Sequence, residues 1–137
     1  MSYSLTFSTE HDYSAEHAVS IPVKLLFGSN AVSLDAYVDT GSTFCIFKRG
    51  HAEMLGIDVE SGSLLRVATV TGMFEAFGHE LTLETFGTYF DVMVYFARPE
   101  SFSRNVLGRR GWLDHVRLGL VEHSCKIYFS RYDDESS

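Results

Sequence analysis

The sequence predicts an all-β chain, folded as a closed and mostly antiparallel β barrel with one or two short helices. Apolar and polar residues alternate around Val38 and again around Val92, which is the period of a strand with one buried face. A turn signal at Gly28 separates the first of these strands from an earlier apolar segment, and a short apolar-spaced stretch after Gly108 predicts a helical turn. The 11 Phe and 7 Tyr residues, with 11 Gly and only 2 Pro, are typical of short strands joined by tight turns.

The domain boundaries follow from the same pattern. At 137 residues the chain suits one domain, and we expect that domain to cover residues 21–130. Residues 1–20 mix polar and aromatic types and are predicted to be a solvated N-terminal arm, with a strand at residues 3–7 as one option. Residues 131–137 are predicted to be a frayed acidic tail.

Each element of the domain has a local signal in the sequence. Residues 21–27 are predicted to form a hairpin with the strand that ends at Asp39, and residues 48–55 a short helix that Gly56 would stop. A second hairpin is expected around the turn at Phe86-Gly87. The remaining predicted strands lie at residues 44–47, within residues 64–83, at Val106-Leu107, and around Leu118, Leu120, Ile127 and Phe129.

Charge and composition argue against several classes of function. The formal net charge of −7 disfavours binding to nucleic acid or an anionic membrane through bulk electrostatics. We expect no signal peptide and no membrane anchor, because no basic segment precedes an apolar one and no apolar run approaches the length of a span. Cys45 and Cys125 lack CxxC spacing and are expected to be reduced and buried, which indicates the cytoplasm. His11 and His17 fit no ligand spacing, so we expect no metal and no other cofactor.

Two short motifs carry the candidate chemistry. The alternating strand around Val38 runs into Asp39-Thr40-Gly41-Ser42, where the glycine permits a tight turn. Neighbouring amides and hydroxyls in such a turn can hold the carboxylate ionised, although an ordinary Asp-rich turn after a strand is the alternative. Further along, the sequence Val106-Leu107-Gly108-Arg109 places an apolar pair before a glycine and a short helical stretch.

These two motifs, in this order and at this separation, resemble the retropepsin-like aspartic protease family over residues 22–129, which is most of the chain. The resemblance implies a retropepsin-like barrel and peptide-bond hydrolysis, with Asp39 as the catalytic residue. It also implies that Thr40 bonds to its copy across a two-fold axis, that Gly41 permits close backbone approach, and that Ser42 donates to the outer carboxylate oxygen.

The resemblance extends to the hairpin that would close over a substrate, the flap. A hairpin at residues 67–76 has the flap's place in the chain order, which makes Thr71, Gly72 and Met73 flap residues with the tip near Thr71-Gly72. A bulge or bend in one long strand is the alternative reading of that glycine. If Val70, Met73, Phe74 and Leu107 face inward, the cleft is apolar and the side chains flanking the cut bond are hydrophobic.

The second motif is expected to lie under the site. By resemblance, Gly108 lets the strand at Val106-Leu107 pack beneath the Asp39 loop. In the retroviral pattern the arginine equivalent to Arg109 meets an acid shortly after the catalytic aspartate, but positions 43–47 hold no acid here. The partner of Arg109 is therefore open, with a surface arginine as the alternative.

Hydrolysis by carboxylates requires two of them around one water, and this chain has a single Asp-Thr-Gly. If the protein is a protease, a homodimer must bring two copies of Asp39 together on a two-fold axis to act on a peptide or protein substrate. A non-catalytic dimerisation or peptide-binding module of the same fold is the alternative. Ser-His-Asp catalysis would need a G-x-S-x-G turn, which does not occur, and neither Cys45 nor Cys125 lies in an electropositive local setting.

Overall fold

A computed structural model describes residues 1–135, and strands dominate this part of the chain, which confirms the all-β prediction. The strands are β1 (Thr9–Asp12), β2 (Ser20–Phe27), β3 (Asn30–Val38), β4 (Ile46–Phe47), β5 (Ser63–Thr69), β6 (Gly72–Thr85), β7 (Thr88–Ala97), β8 (Val106–Leu107), β9 (Val116–Val121) and β10 (Lys126–Arg131). The helical elements are α1 (Arg49–Met54) and single 3-10 turns at Val59–Ser61, Leu113–His115 and Glu122–Ser124. No helix within residues 1–135 has both the length and the apolar character needed to traverse a bilayer.

The strands of the larger sheet pair in a closed ring. Their order is β2-β3-β8-β4-β7-β6-β5, and β2 pairs with β6 as well, so six strands complete a circuit with β5 outside it. This ring is consistent with the predicted barrel. Two of its pairings, β3 with β8 and β4 with β7, are parallel rather than antiparallel. Strands that pair in parallel are joined by long connections, so their residues are far apart in the sequence. Local sequence patterns therefore do not reveal such pairs.

The hairpins of the ring follow the sequence closely. Phe27 lies opposite Asn30 across the turn at Gly28-Ser29, and Thr85 lies opposite Thr88 across the turn at Phe86-Gly87, as predicted. The predicted helix at residues 48–55 forms as α1 at Arg49–Met54. Gly56 follows it with φ +78°, a left-handed conformation that ends helices and favours glycine.

A second sheet joins the two ends of the chain in the order β1-β10-β9. Residues 3–7 form no regular strand, and the N-terminal strand lies at β1 instead, where His11 faces Ile127. Thr9 and His11 are half-buried beside the buried Ile127 and Phe129, so apolar burial selects this segment for pairing. The division into arm, domain and tail stays a prediction; Arg131 is the last residue of β10, and residues 136–137 of the tail lie outside the described chain.

The core fills the ring and the space beneath the second sheet. Trp112 is fully buried, and its indole N–H donates to Thr85 Oγ1 at 3.2 Å, which satisfies its one polar atom. The aromatic rings of Trp112 and Phe129 are 5.9 Å apart, which ties the second sheet to the ring. The largest fully buried side chains are Trp112, Phe47, Phe96, Phe129, Ile21, Leu25, Leu55, Leu83, Leu107, Ile127, Val59 and Val94.

Candidate active site

Asp39 leaves the end of β3 at the place where that strand pairs with β8. Val38 lies opposite Leu107 in parallel register, and the Asp39 amide donates to the Leu107 carbonyl at 3.0 Å. Leu107 is fully buried, so this pairing holds the backbone before the carboxylate against the core. The side chain of Asp39 is therefore carried on a short loop whose first residue is fixed by the ring of strands.

The loop turns tightly around the Asp39 carboxylate. The Gly41 amide donates to Asp39 Oδ1 at 2.9 Å, and the Ser42 amide donates to the Asp39 carbonyl at 3.1 Å. Asp39 is half-buried, whereas Thr40 and Gly41 are exposed. The Gly41 hydrogen bond orients the carboxylate, and the exposed neighbours leave the loop open on one side.

The Ser42 hydroxyl corrects one detail of the resemblance. Ser42 Oγ donates to the Phe44 carbonyl at 2.7 Å, so its single hydrogen is not directed at the carboxylate of Asp39. A serine hydroxyl has one donor, and a carbonyl two residues away is within easy reach of it in a turn. In this chain Ser42 therefore stabilises the shape of the loop.

Gly108 lies directly beneath the loop, and the structure shows why no larger residue fits. A Cβ at this position would lie 2.2 Å from the Phe44 carbonyl oxygen, 2.6 Å from its carbon and 2.8 Å from the Ser42 carbonyl oxygen. All three are backbone atoms that a rotamer change cannot move. The Gly108 amide also points at Cys45 Sγ at 3.4 Å, so the two motifs are packed against each other.

The two residues after Gly108 bind the far side of the loop through their backbone. The Arg109 amide donates to the Ser42 carbonyl and the Arg110 amide donates to the Thr43 carbonyl, both at 2.8 Å. Both residues are exposed, and within residues 1–135 neither guanidinium has an ion-pair partner. Arg109 thus supports the loop with its main chain while its side chain faces solvent.

Asn105 is a site residue that the sequence analysis missed. It is 7% exposed, and its side chain accepts from the Lys48 amide at 3.1 Å and donates to the Asp35 carbonyl at 3.3 Å. Its own carbonyl accepts from the Tyr37 amide at 2.8 Å. One buried amide side chain therefore ties β3 and the start of α1 to β8. Its only signal in the sequence is a polar residue directly before a buried apolar pair.

The predicted flap is a hairpin made of β5 and the start of β6. Thr69 lies opposite Gly72, so Val70 and Thr71 form the tip, one residue earlier than the predicted tip at Thr71-Gly72. Thr69 Oγ1 donates to the Gly72 carbonyl at 3.0 Å and closes the turn. The Val70 and Met73 side chains are exposed. Leu107, by contrast, is fully buried and lines no cleft, which corrects that part of the prediction.

The base of the flap is anchored to the loop that follows β7. The rings of Phe74 and Phe102 lie 5.0 Å apart, and the Arg98 amide donates to the Glu75 carbonyl at 2.8 Å. The side chains of Arg98 and Glu75 form an ion pair at 2.5 Å. These contacts fix the base of the hairpin, whereas the Val70 side chain at its tip is fully exposed.

Comparisons with known proteins place the fold. Neither the protein-family models nor the curated protein sequences gave a match to this chain. Among solved structures, EIAV protease complexed with the inhibitor HBY-793 superimposes with a TM-score of 0.55 at 21% identity, over 71% of this chain and 86% of that one. A retropepsin-like aspartic protease from Rickettsia conorii superimposes with a TM-score of 0.65 at 17% identity, over 89% of this chain and 97% of that one. The chain therefore has the retropepsin-like fold, which confirms the resemblance at the level of structure.

Proposed function

We propose that this protein is an aspartic endopeptidase, in which a homodimer brings two Asp39 carboxylates together around one water. The observation that carries the proposal is the Asp39 loop itself. Its carboxylate accepts the Gly41 amide at 2.9 Å, and the Asp39 backbone is fixed by the Leu107 carbonyl. A half-buried carboxylate on a loop fixed from below is suited to meeting a second carboxylate at a symmetric interface.

The proposed chemistry follows from two carboxylates at close range. At about 3 Å apart they cannot both ionise, so they share one proton and titrate as a coupled pair. The ionised partner takes a proton from the water as general base while the protonated partner donates to the substrate carbonyl oxygen. The water attacks the carbonyl carbon to give a tetrahedral adduct. On its collapse the C–N bond breaks, the amine nitrogen takes the proton that the base accepted from the water, and one hydroxyl of the adduct returns a proton to the carboxylate pair.

A second copy is needed because no other carboxylate in the described chain shares the Asp39 loop. Asp35 is four residues earlier on β3, about 13 Å away at the rise of a strand. The carboxylate of Asp114 is occupied by the Gly111 amide at 3.0 Å and by His115 Nδ1 at 2.7 Å. β9 has no strand partner on its outer side within residues 1–135, and Leu120 and Val121 are exposed there, which supports association through a sheet edge.

The proposed substrate is a peptide or protein held in extended form under the flap. Exposed Val70 and Met73 on the flap favour apolar side chains beside the cut bond. We propose the cytoplasm as the compartment, since Cys45 and Cys125 lack CxxC spacing and are expected to be reduced.

Asp39→Asn tests the proposal, with Asp35→Asn as the matched control. Each change replaces one carboxylate by an amide. Asp35 is an exposed residue within β3, whereas Asp39 lies in the loop that follows this strand. We expect Asp39→Asn to abolish cleavage of a broad peptide library, because an amide cannot act as general base. The dimer should persist, since the amide keeps the size of the carboxylate. Asp35→Asn should cleave at the wild-type rate.

Two results would contradict the protease proposal. Cleavage retained by a folded Asp39→Asn dimer would show that this residue does no chemistry. A wild-type dimer that binds library peptides but cleaves none between pH 3 and pH 8 would favour the non-catalytic module instead. The Ser42 hydroxyl, which donates to Phe44 rather than to the carboxylate, is the observation on the side of that second function.

A further inference from the structure

Within residues 1–135, two arginines beside the Asp39 loop form no ion pair with a carboxylate. Arg109 and Arg110 line a surface cleft of about 470 Å³ together with Thr43, Leu113 and Asp114. Their backbone amides donate to the Ser42 and Thr43 carbonyls at 2.8 Å, so the backbone of both arginines is held beside the loop that carries Asp39.

Several basic side chains of the described chain form ion pairs with carboxylates, and Arg109 and Arg110 are not among them. Lys24, for example, pairs with Glu84 at 3.9 Å and Arg49 pairs with Glu60 at 3.0 Å. The net charge of the protein is −7, so acidic partners are plentiful elsewhere.

The cleft itself keeps a positive balance. Its one carboxylate, Asp114, accepts the Gly111 amide and His115 Nδ1, and it forms no ion pair with either arginine in residues 1–135. Two guanidinium groups and one such carboxylate leave an excess of positive charge. Exposed cations beside an open cleft are suited to a carboxylate on a bound partner.

We propose that Arg109 and Arg110 form a subsite that binds an acidic side chain of the peptide substrate. This inference rests on the proposed proteolytic function. Thr43 is four residues from Asp39, which limits their separation to about 14 Å of extended chain. An extended substrate advances about 3.3 Å per residue, so the acidic side chain lies within about four residues of the cut bond.

Matched peptides test the subsite. Each peptide carries two central Phe residues and differs only at the residues two to four positions away, which hold Glu, Gln or Lys. We expect wild type at pH 6 to cleave the Glu series with a kcat/KM about fivefold above the Lys series, the range of one or two exposed ion pairs. The preference should weaken as salt is raised from 0.05 to 0.5 M.

Charge reversal supplies the decisive comparison. In Arg109→Glu and Arg110→Glu we expect the kcat/KM for the Lys series to exceed that for the Glu series. Because both series are measured with the same variant, their ratio does not depend on a general loss of activity. Lys24→Glu makes the same change in net charge on β2, away from the cleft, and should keep the wild-type ratio. An unchanged ratio in both arginine variants would overturn the subsite.

A binding measurement separates this inference from the protease proposal. The Asp39→Asn dimer is titrated at pH 7 with the same peptides carrying a fluorescent label, and anisotropy gives Kd. Tighter binding of the Glu series, inverted by Arg110→Glu, would support the subsite even if wild type cleaved nothing. Equal affinity for the Glu, Gln and Lys series, or no binding at all, would overturn the subsite whether or not wild type is a protease.

Discussion

Gly108→Ala is the sharpest test of how β8 supports the Asp39 loop. The added Cβ would lie 2.2 Å from one backbone oxygen of Phe44 and 2.8 Å from that of Ser42, both well inside normal contact. These oxygens belong to the segment between the loop and β4, so relief of the clash requires the loop or β8 to move. The Asp39–Leu107 and Arg109–Ser42 hydrogen bonds are the contacts that such a movement strains first.

The loss of folding stability in Gly108→Ala depends on which atoms the added Cβ would clash with. Overpacking in a protein core costs about 1–3 kcal/mol when side chains can adjust. Here the obstacles are backbone, so we expect about 3 kcal/mol, which lowers the ratio of folded to unfolded chains about 100-fold. Set against a typical total of about 5–15 kcal/mol, this is a large share of the stability.

Urea unfolding at one fixed protein concentration measures this effect. Trp112 is the only tryptophan of the chain and is fully buried, so its fluorescence reports loss of the core. The midpoint should fall at an unchanged m-value, and peptide cleavage should fall with it. Gly50→Ala is the control: its Cβ meets nothing within 4 Å, and alanine in α1 should add up to about 1 kcal/mol. A Gly108→Ala protein within about 0.5 kcal/mol of wild type would refute the packing argument, since that is the range of neutral surface changes.

Three further predictions address the site and its surroundings. Asn105→Leu should lower the free energy of unfolding by about 1–3 kcal/mol, because the Lys48 amide and the Asp35 carbonyl lose their buried partner; wild-type stability in urea would contradict this. The two ring nitrogens of His51 are inaccessible to solvent and have no hydrogen-bond partner in residues 1–135. This burial is the main cause that lowers the pKa of His51, and the positive charge of Lys48 lowers it further. The unfolded chain therefore binds a proton at His51 that the folded chain resists, so stability should fall as pH drops below about 6.5, and His51→Leu should show a flatter slope from pH 7 to pH 5. Specific activity should fall on dilution below the dimer dissociation constant, and sedimentation that finds a fully active monomer would exclude a shared pair of Asp39 carboxylates.

Local patterns in the sequence were sufficient for much of this protein. Alternation predicted β3 and β7, turn residues predicted the hairpins at Gly28 and Phe86-Gly87, and Gly56 ended α1. The tight turn at Asp39-Thr40-Gly41 was read from its residue types, whereas the place of Gly108 beneath it was implied by the family resemblance. Such signals lie within a few residues of each other, where backbone conformation is decided.

Tertiary structure decided the features that depend on residues far apart in the chain. Asn105 binds the carbonyl of Asp35, 70 residues earlier, and only the folded ring of strands brings the two together. The parallel pairing of β3 with β8, and the choice of Thr9–Asp12 rather than residues 3–7 as the strand beside β10, follow from which surfaces are buried in three dimensions. The resemblance implied the Asp39 carboxylate as the acceptor of the Ser42 hydroxyl, and the path of the loop selected the Phe44 carbonyl instead. Hydrogen-bond partners and burial are properties of distance in space, and the order of residues along the chain sets that distance only for near neighbours.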